Sequence, residues 1–325
     1  MREPGDVGAG MAAATGMALV GTMAAVSTTV TAYPVLTGQA LRYAIAAAVL
    51  LPLAVRAAGT PPKGAREWAL LLALAASGLA GFNYCLVEAV KTASPATVGA
   101  VLGCSPVVIS VIGPLAQGRR PSRRLVLAAL TVSAGAALAS GFGGGDLRGL
   151  AYALGALAGE ALFSLLAVPL LPRLGAVRLS AYSVGLAVPL LAGAALLTGE
   201  SFRLPTPTEA AAFGYIGLVI TVVAFLLWYR ALGRLGADRA APYGGLIAVA
   251  AVAATAVIGR GLPTAAEVTG CLLVAAGVTC GAIRSGRPFT LRRPAERDVR
   301  GMRWRNSSTP SCFPWGRTPR RSTGS

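Results

Sequence analysis

The residue in this sequence whose setting most plainly promises chemistry is Glu160. It stands at the middle of an apolar run, Gly155-Ala156-Leu157-Ala158-Gly159-Glu160-Ala161-Leu162-Phe163. At the centre of a membrane span an acidic side chain costs roughly 2.5–3.5 kcal/mol on insertion scales, so it is expected to face a bundle interior or a wet cavity. There a carboxyl group suits a proton site or a counter-charge for a cationic substrate group. A protonated Glu160 bonded to a neighbouring helix is the plainer alternative. Arg42, in Leu41-Arg42-Tyr43, is the matching basic case. Its long stem either carries the guanidinium outward to the interface or points it inward as an anion anchor.

Further polar and aromatic side chains could line a cavity: Asn83, Tyr84, Tyr33, Tyr152, Tyr182, Trp228, Tyr229 and Tyr243. Most of the aromatic ones stand near the ends of apolar runs, where the interfacial belt places Tyr and Trp without any ligand. Asn83 and Tyr84 are the stronger candidates. Other chemistry is excluded by composition. With no His in the chain, His-ligated zinc and Ser-His-Asp triads are impossible, and neither a metal nor an organic cofactor is expected. The five Cys include no C-x-x-C pair, and they read as small buried hydrophobes rather than disulfides or ligands. No Walker A motif supports ATP hydrolysis.

The elements that must position these groups are membrane helices. The 325 residues are 55% hydrophobic and 13% charged, about half the charge of a soluble domain, and mean hydropathy is +0.66. Apolar segments long enough to span a bilayer recur at about 11–31, 35–55, 67–87, 95–116, 122–141, 149–170, 177–197, 209–229, 237–258 and 264–283,. The net charge of +17 suggests nucleic acid until it is mapped. Eleven Arg lie in the 284–325 tail, and the other basic residues sit mostly between apolar runs. With the N-terminus inside and each span flipping the side, thirteen Lys and Arg before the tail fall inside and four outside. That is membrane topology with both termini cytoplasmic, not a DNA-binding face.

The chain also resembles itself. At an offset of 142 the third to fifth spans fall on the eighth to tenth, with Pro121 on Pro263 and Ala134-Gly135 on Ala276-Gly277. Five spans per half is an odd number, so the second half enters the membrane upside down, the mark of secondary transporters with midplane sites. Glu88 and Arg230 are repeat-equivalent but fall at opposite mouths, too far apart to pair across about 30 Å of hydrocarbon. They read as local gates or as ordinary interfacial charges. The pairs Gly155/Gly159 and Gly277/Gly281 read as helix-packing devices.

These stretches resemble the drug/metabolite transporter superfamily in its ten-helix EamA type. The resemblance lies in Leu41-Arg42-Tyr43, Glu88-Ala89-Val90-Lys91, Ser105-Pro106, Trp228-Tyr229-Arg230-Ala231-Leu232 and Gly236-Ala237-Asp238-Arg239-Ala240-Ala241. It implies an inward Arg42. The chain departs from the pattern where a Gly-Glu-Arg-like turn is usual, reading Gly118-Arg119-Arg120-Pro121 and Gly259-Arg260-Gly261-Leu262. It departs again in the ninth helix, where Leu246-Ile247-Ala248 replaces the usual Pro.

The expectation is therefore an all-α integral membrane protein with ten transmembrane helices in two inverted five-helix repeats, 11–141 and 149–283. Residues 1–10 form a short cytoplasmic N-terminus, and 284–325 a basic, disordered cytoplasmic tail. Its function is secondary transport: export of a small polar or amphipathic metabolite, amino-acid-like or drug-like, across a bacterial plasma membrane by alternating access. Protons are the candidate coupling ion, the partners are substrate and lipid, and the oligomeric state is monomer or homodimer. Substrate-binding or coupling candidates are Glu160, Arg42, Asn83, Tyr84, Glu88, Trp228, Tyr229 and Arg230. The rivals are a degenerate non-transporting scaffold and a lipid-modifying membrane enzyme; the absence of His and the scatter of the acids weigh against the enzyme.

Overall fold

Backbone amides in hydrocarbon must bond within their own segment, so long runs of Ala, Leu, Val and Gly in a membrane become helices. The computed structural model describes residues 4–93, 95–140, 146–257 and 264–282. The basic tail, the Gly141–Gly145 run and the Gly259–Leu262 stretch lie outside the described residues. We number the long helical runs α1 (Asp6–Val30), α2 (Val35–Arg56), α3 (Ala65–Thr92) and α4 (Thr97–Ala116), then α5 (Arg123–Ser140) and α6 (Leu147–Leu165). They continue with α7 (Leu171–Leu197) and α8 (Pro207–Leu235), then α9 (Leu246–Val257) and α10 (Ala265–Ala282).

Six of these, α1 to α4, α7 and α8, are long and apolar enough to cross a membrane. Among the described residues, length and composition thus license six crossings where the hydropathy pattern leads to ten. Leu246–Val257 has only 12 residues, and α6 carries both Arg148 and Glu160.

Burial is inverted relative to a soluble protein. Large apolar side chains such as Val55, Leu127, Leu196 and Leu272 are exposed, while Arg42, Asn83, Ser105, Ser110, Ser164, Ser180, Ser183 and Thr221 are buried. A surface facing lipid has no use for polar groups, so they collect where other helices can satisfy them.

The helix bounds repeat. Both α3 and α8 contain a π-helical stretch, Leu74–Gly81 and Ile216–Val223, and the two begin 142 residues apart. Helices α5 and α10, Arg123–Ser140 and Ala265–Ala282, keep the same offset. A break at Gly103–Cys104 divides α4, and a short run, Ala237–Ala240 and Ala241–Gly245, precedes α9. The chain has a two-repeat architecture.

Packing follows from small residues. Helix α5 lies along α10, α2 along α7, α3 along α6, and α1 along α8 and α9. A Cβ at Gly159 would stand 2.8 Å from the Ser77 carbonyl oxygen, and one at Gly277 2.8 Å from that of Ala128. Those helices meet backbone to backbone. The turn into α9 uses Gly236 at φ 81, a conformation that strains any residue with a Cβ. The cysteines depart from expectation. Cys104 and Cys280 are exposed and Cys85 and Cys271 half-exposed, all four as free thiols. On a lipid-facing surface a thiol needs no burial in protein to leave water.

Candidate functional site

The break in α4 gives Ser105 its position. Ser105 is buried at the start of the second half of that helix, and its hydroxyl donates to Glu160 Oε1 at 3.0 Å. Glu160 is half-buried on α6 and makes no ion pair among the described residues. One turn further along the same face, where i+3 and i+4 neighbours align, come Phe163 and Ser164. Ser164 accepts a hydrogen bond from Trp228 Nε1 at 3.2 Å. Phe163 stacks on Tyr229 with ring centroids 5.0 Å apart and lies 4.9 Å from Phe225. Helix α6 therefore presents a carboxylate, a hydroxyl and an aromatic ring to α4 and α8 together.

Trp228 and Tyr229 are correspondingly buried, at 4% and 0% exposure. The interfacial-belt explanation does not hold for them: they belong to the bundle interior. The Tyr229 hydroxyl is buried beside Ser183.

The second polar group is built on α2. Arg42 points inward, 5% exposed, which settles the choice between snorkelling and inward placement. Its Nε donates to Thr221 Oγ1 at 2.7 Å and its Nη1 to Gln39 Oε1 at 3.2 Å. The guanidinium carbon lies 5.1 Å from the Tyr43 ring centroid. Tyr43 in turn receives Asn83 Nδ2 on its hydroxyl at 3.1 Å, and Asn83 also donates to the Leu79 carbonyl at 2.7 Å. Both ends of this chain touch π-helical segments. Leu79 is in the first, while Thr221 is in the second and bonds back five residues to the Ile216 carbonyl at 3.0 Å. Such distortions in an α-helix free backbone groups and reorient side chains, and they recur at functional sites.

Three sequence candidates stand apart. Tyr84 is exposed and meets Tyr152 edge-on at 6.2 Å, with the Arg148 guanidinium 5.8 Å from the Tyr152 ring. Glu88 pairs with Lys91, three residues on, at 2.5 Å. Arg230 is exposed and does not meet Glu88. Sequence reading missed Ser105, Ser164, Thr221, Phe163 and Phe225 as members of the site. Only Phe163 and Ser164, at i+3 and i+4 from Glu160, carried a usable signal,.

Ion pairs fasten the helix ends. Glu67, in the first turn of α3, bonds the Lys63 amide and pairs with Arg173. Glu209, in the first turn of α8 and 142 residues on, bonds the Thr206 amide and pairs with Arg203 at 2.5 Å. Arg203 also lies 4.4 Å from the Tyr33 ring, and Tyr33 donates to its carbonyl at 2.5 Å. Asp238 pairs with Arg119 at 3.6 Å.

A family model described as the EamA-like transporter family matches residues 7–141 and again 147–281. The chain belongs to that family. It is a multi-pass membrane protein and a transporter, with a small molecule as substrate and lipid as its surroundings. It is 27% identical over 264 residues to an uncharacterized transporter, YetK, of Bacillus subtilis (strain 168), covering 78% of this chain and 80% of that protein. A protein of known crystal structure shares the fold with a TM-score of 0.69 at 23% identity, over 84% of this chain and 96% of the other.

Proposed function

We propose that this EamA-like transporter is a secondary exporter of a small polar or amphipathic metabolite. It crosses the membrane ten times in two inverted five-helix halves, 11–141 and 149–283, and works by alternating access around Glu160. The observation that carries the reading is the Glu160 carboxylate, held inside a lipid-facing bundle by Ser105 with no ion-pair partner among the described residues. An acid kept in that setting is costly unless it serves a coupling proton or a substrate cation.

The packing supports a two-fold relation between the halves. Exchanging the two halves turns the α3–α6 contact into α8–α1, and leaves α2–α7 and α5–α10 as they are. A two-fold axis produces that pattern, and five spans per half would set that axis in the membrane plane. Under this arrangement Glu67 and Glu209 sit at opposite faces, the first paired with Arg173 of the other half and the second with Arg203 just before its own helix. The Lys and Arg distribution supports a cytoplasmic side for both termini, the 1–10 segment and the 284–325 tail, and the Bacillus relative supports a bacterial membrane. The chain transports without catalysing a reaction.

The test is retention of labelled amino acids, sugars, nucleosides and cationic dyes in expressing cells. Wild type, Glu160→Gln and an empty vector are compared at two external pH values. The reading expects wild type to lower retention of one class, Glu160→Gln not to, and collapse of the proton gradient to remove the effect. A well-inserted wild type that matches the vector for every class favours the scaffold alternative.

A further inference from the structure

Arg42 is a buried charge with an unfinished set of partners. A guanidinium carries five N–H donors. Nε is used by Thr221, and Nη1 by Gln39 and, at 3.7 Å, by the Met23 sulfur. Nη2 has no partner among the described residues. The five ion pairs among those residues all involve other side chains. Arg42 thus sits in a membrane bundle with neutral acceptors on one edge and nothing on the other.

The donor left over is Nη2, which can give a charge-assisted hydrogen bond to a carboxylate oxygen,. It is also held in place. Thr221 is anchored to the Ile216 carbonyl through the π-helical stretch of α8, and the Tyr43 ring lies against the guanidinium. From Thr221 the same face of α8 carries Phe225, Trp228 and Tyr229, four, seven and eight residues on. Phe163 closes against two of those rings. A fixed guanidinium with one free amino group therefore stands at one end of an aromatic stripe.

We propose that Arg42 is the anion anchor of the transported molecule, and that the substrate class is a small carboxylate with an apolar body. The inference rests on the reading of the bundle as a small-molecule carrier. The carboxylate supplies the counter-charge that the chain does not, and the body lies along the stripe from Thr221 towards Tyr229. In the loaded state the membrane then holds a neutralised pair rather than a lone guanidinium.

The experiment uses the purified full chain in lipid nanodiscs near pH 7, where carboxylic acids are ionised. The probes are benzoate, phenylacetate and hexanoate, each beside its neutral amide, with chloride added to a sulfate buffer as the control anion. Melting temperature and tryptophan fluorescence are read for wild type, Arg42→Lys and Arg42→Gln. The acids should stabilise wild type at concentrations at least about tenfold below their amides. Arg42→Lys should keep a weakened preference, and Arg42→Gln should lose it. Equal effects of acid and amide overturn the proposal, as do an acid effect that survives in a folded Arg42→Gln, no response to any acid, or a response that chloride alone reproduces.

Failure here and failure of the transport reading are separable. Export of a neutral or cationic compound that Arg42→Gln leaves intact removes the anchor and keeps the carrier. Acid binding without any flux does the reverse.

Discussion

The two π-helical segments occupy the same place in their halves and are put to different use. In Leu74–Gly81 the side chains are small, and a Cβ added at Gly78 would stand 2.8 Å from Phe163 Cα. That segment makes room for α6 to bring Phe163 and Glu160 inward. In Ile216–Val223 every side chain but Gly217 is larger than a methyl group, and Thr221 takes the Arg42 guanidinium. One backbone device serves close packing, the other holds a charge. The same contrast runs through the bundle. Between Leu179 and Leu197 helix α7 has no Lys or Arg to match Arg42, and α1 has no Glu to match Glu160. The frame is repeated and the polar equipment is not. An inverted frame supplies two similar conformations, and a single set of charges gives the pathway its chemical sign.

The largest break in this asymmetry is Glu160→Gln. It is isosteric and can still accept from Ser105, so the fold should survive while flux falls at least about tenfold and loses its pH dependence. Unchanged flux in proteoliposomes would show that the carboxylate is structural. Next in size comes Gly78→Val, which forces atoms into the α6 backbone and should cost about 1–3 kcal/mol by denaturant unfolding in detergent. Its repeat-equivalent, Ile220→Val, should cost only about 0.5–1.5 kcal/mol. Equal costs would mean that the two segments are not used differently.

Thr221→Val removes the Nε acceptor and should destabilise by about 1–3 kcal/mol, near the low end if water reaches Arg42, whereas Thr221→Ser should be close to neutral. A harmless Thr221→Val would detach the second segment from Arg42. Smallest is Glu88→Gln. The Glu88–Lys91 pair, three residues apart on one helix face, should be worth no more than about 0.5 kcal/mol, and flux should stay within about twofold of wild type. A large flux loss there would make it a gate.

Much of the frame was legible in the sequence. The membrane class, the ends of most helical runs and the 142-residue offset follow from hydropathy and a few Pro and Gly matches. The π-helical segments were not, because nothing in Leu74–Gly81 or Ile216–Val223 separates them from an ordinary apolar helix. The partners of the charged groups were hidden for another reason. Periodicity tells which residues turn inward, but not which of several inward-facing helices they meet. Ser105 and Glu160 are 55 residues apart, and Arg42 and Thr221 are 179 apart. Trp228 and Tyr229 misled because a position near a span end suits the interface as well as the bundle interior. Contacts with Ser164 and Phe163 decided between them.

The central claim is that the Glu160 site opens to each side of the membrane in turn. Ser105→Cys, in a chain whose native cysteines are replaced by Ser and which still transports, puts a thiol beside that carboxylate. A small membrane-impermeant thiol reagent is then applied to sealed proteoliposomes from one face or the other. The account predicts modification from both faces, with each slowed by substrate. Modification from one face only, or from neither, in a chain of verified orientation would contradict it.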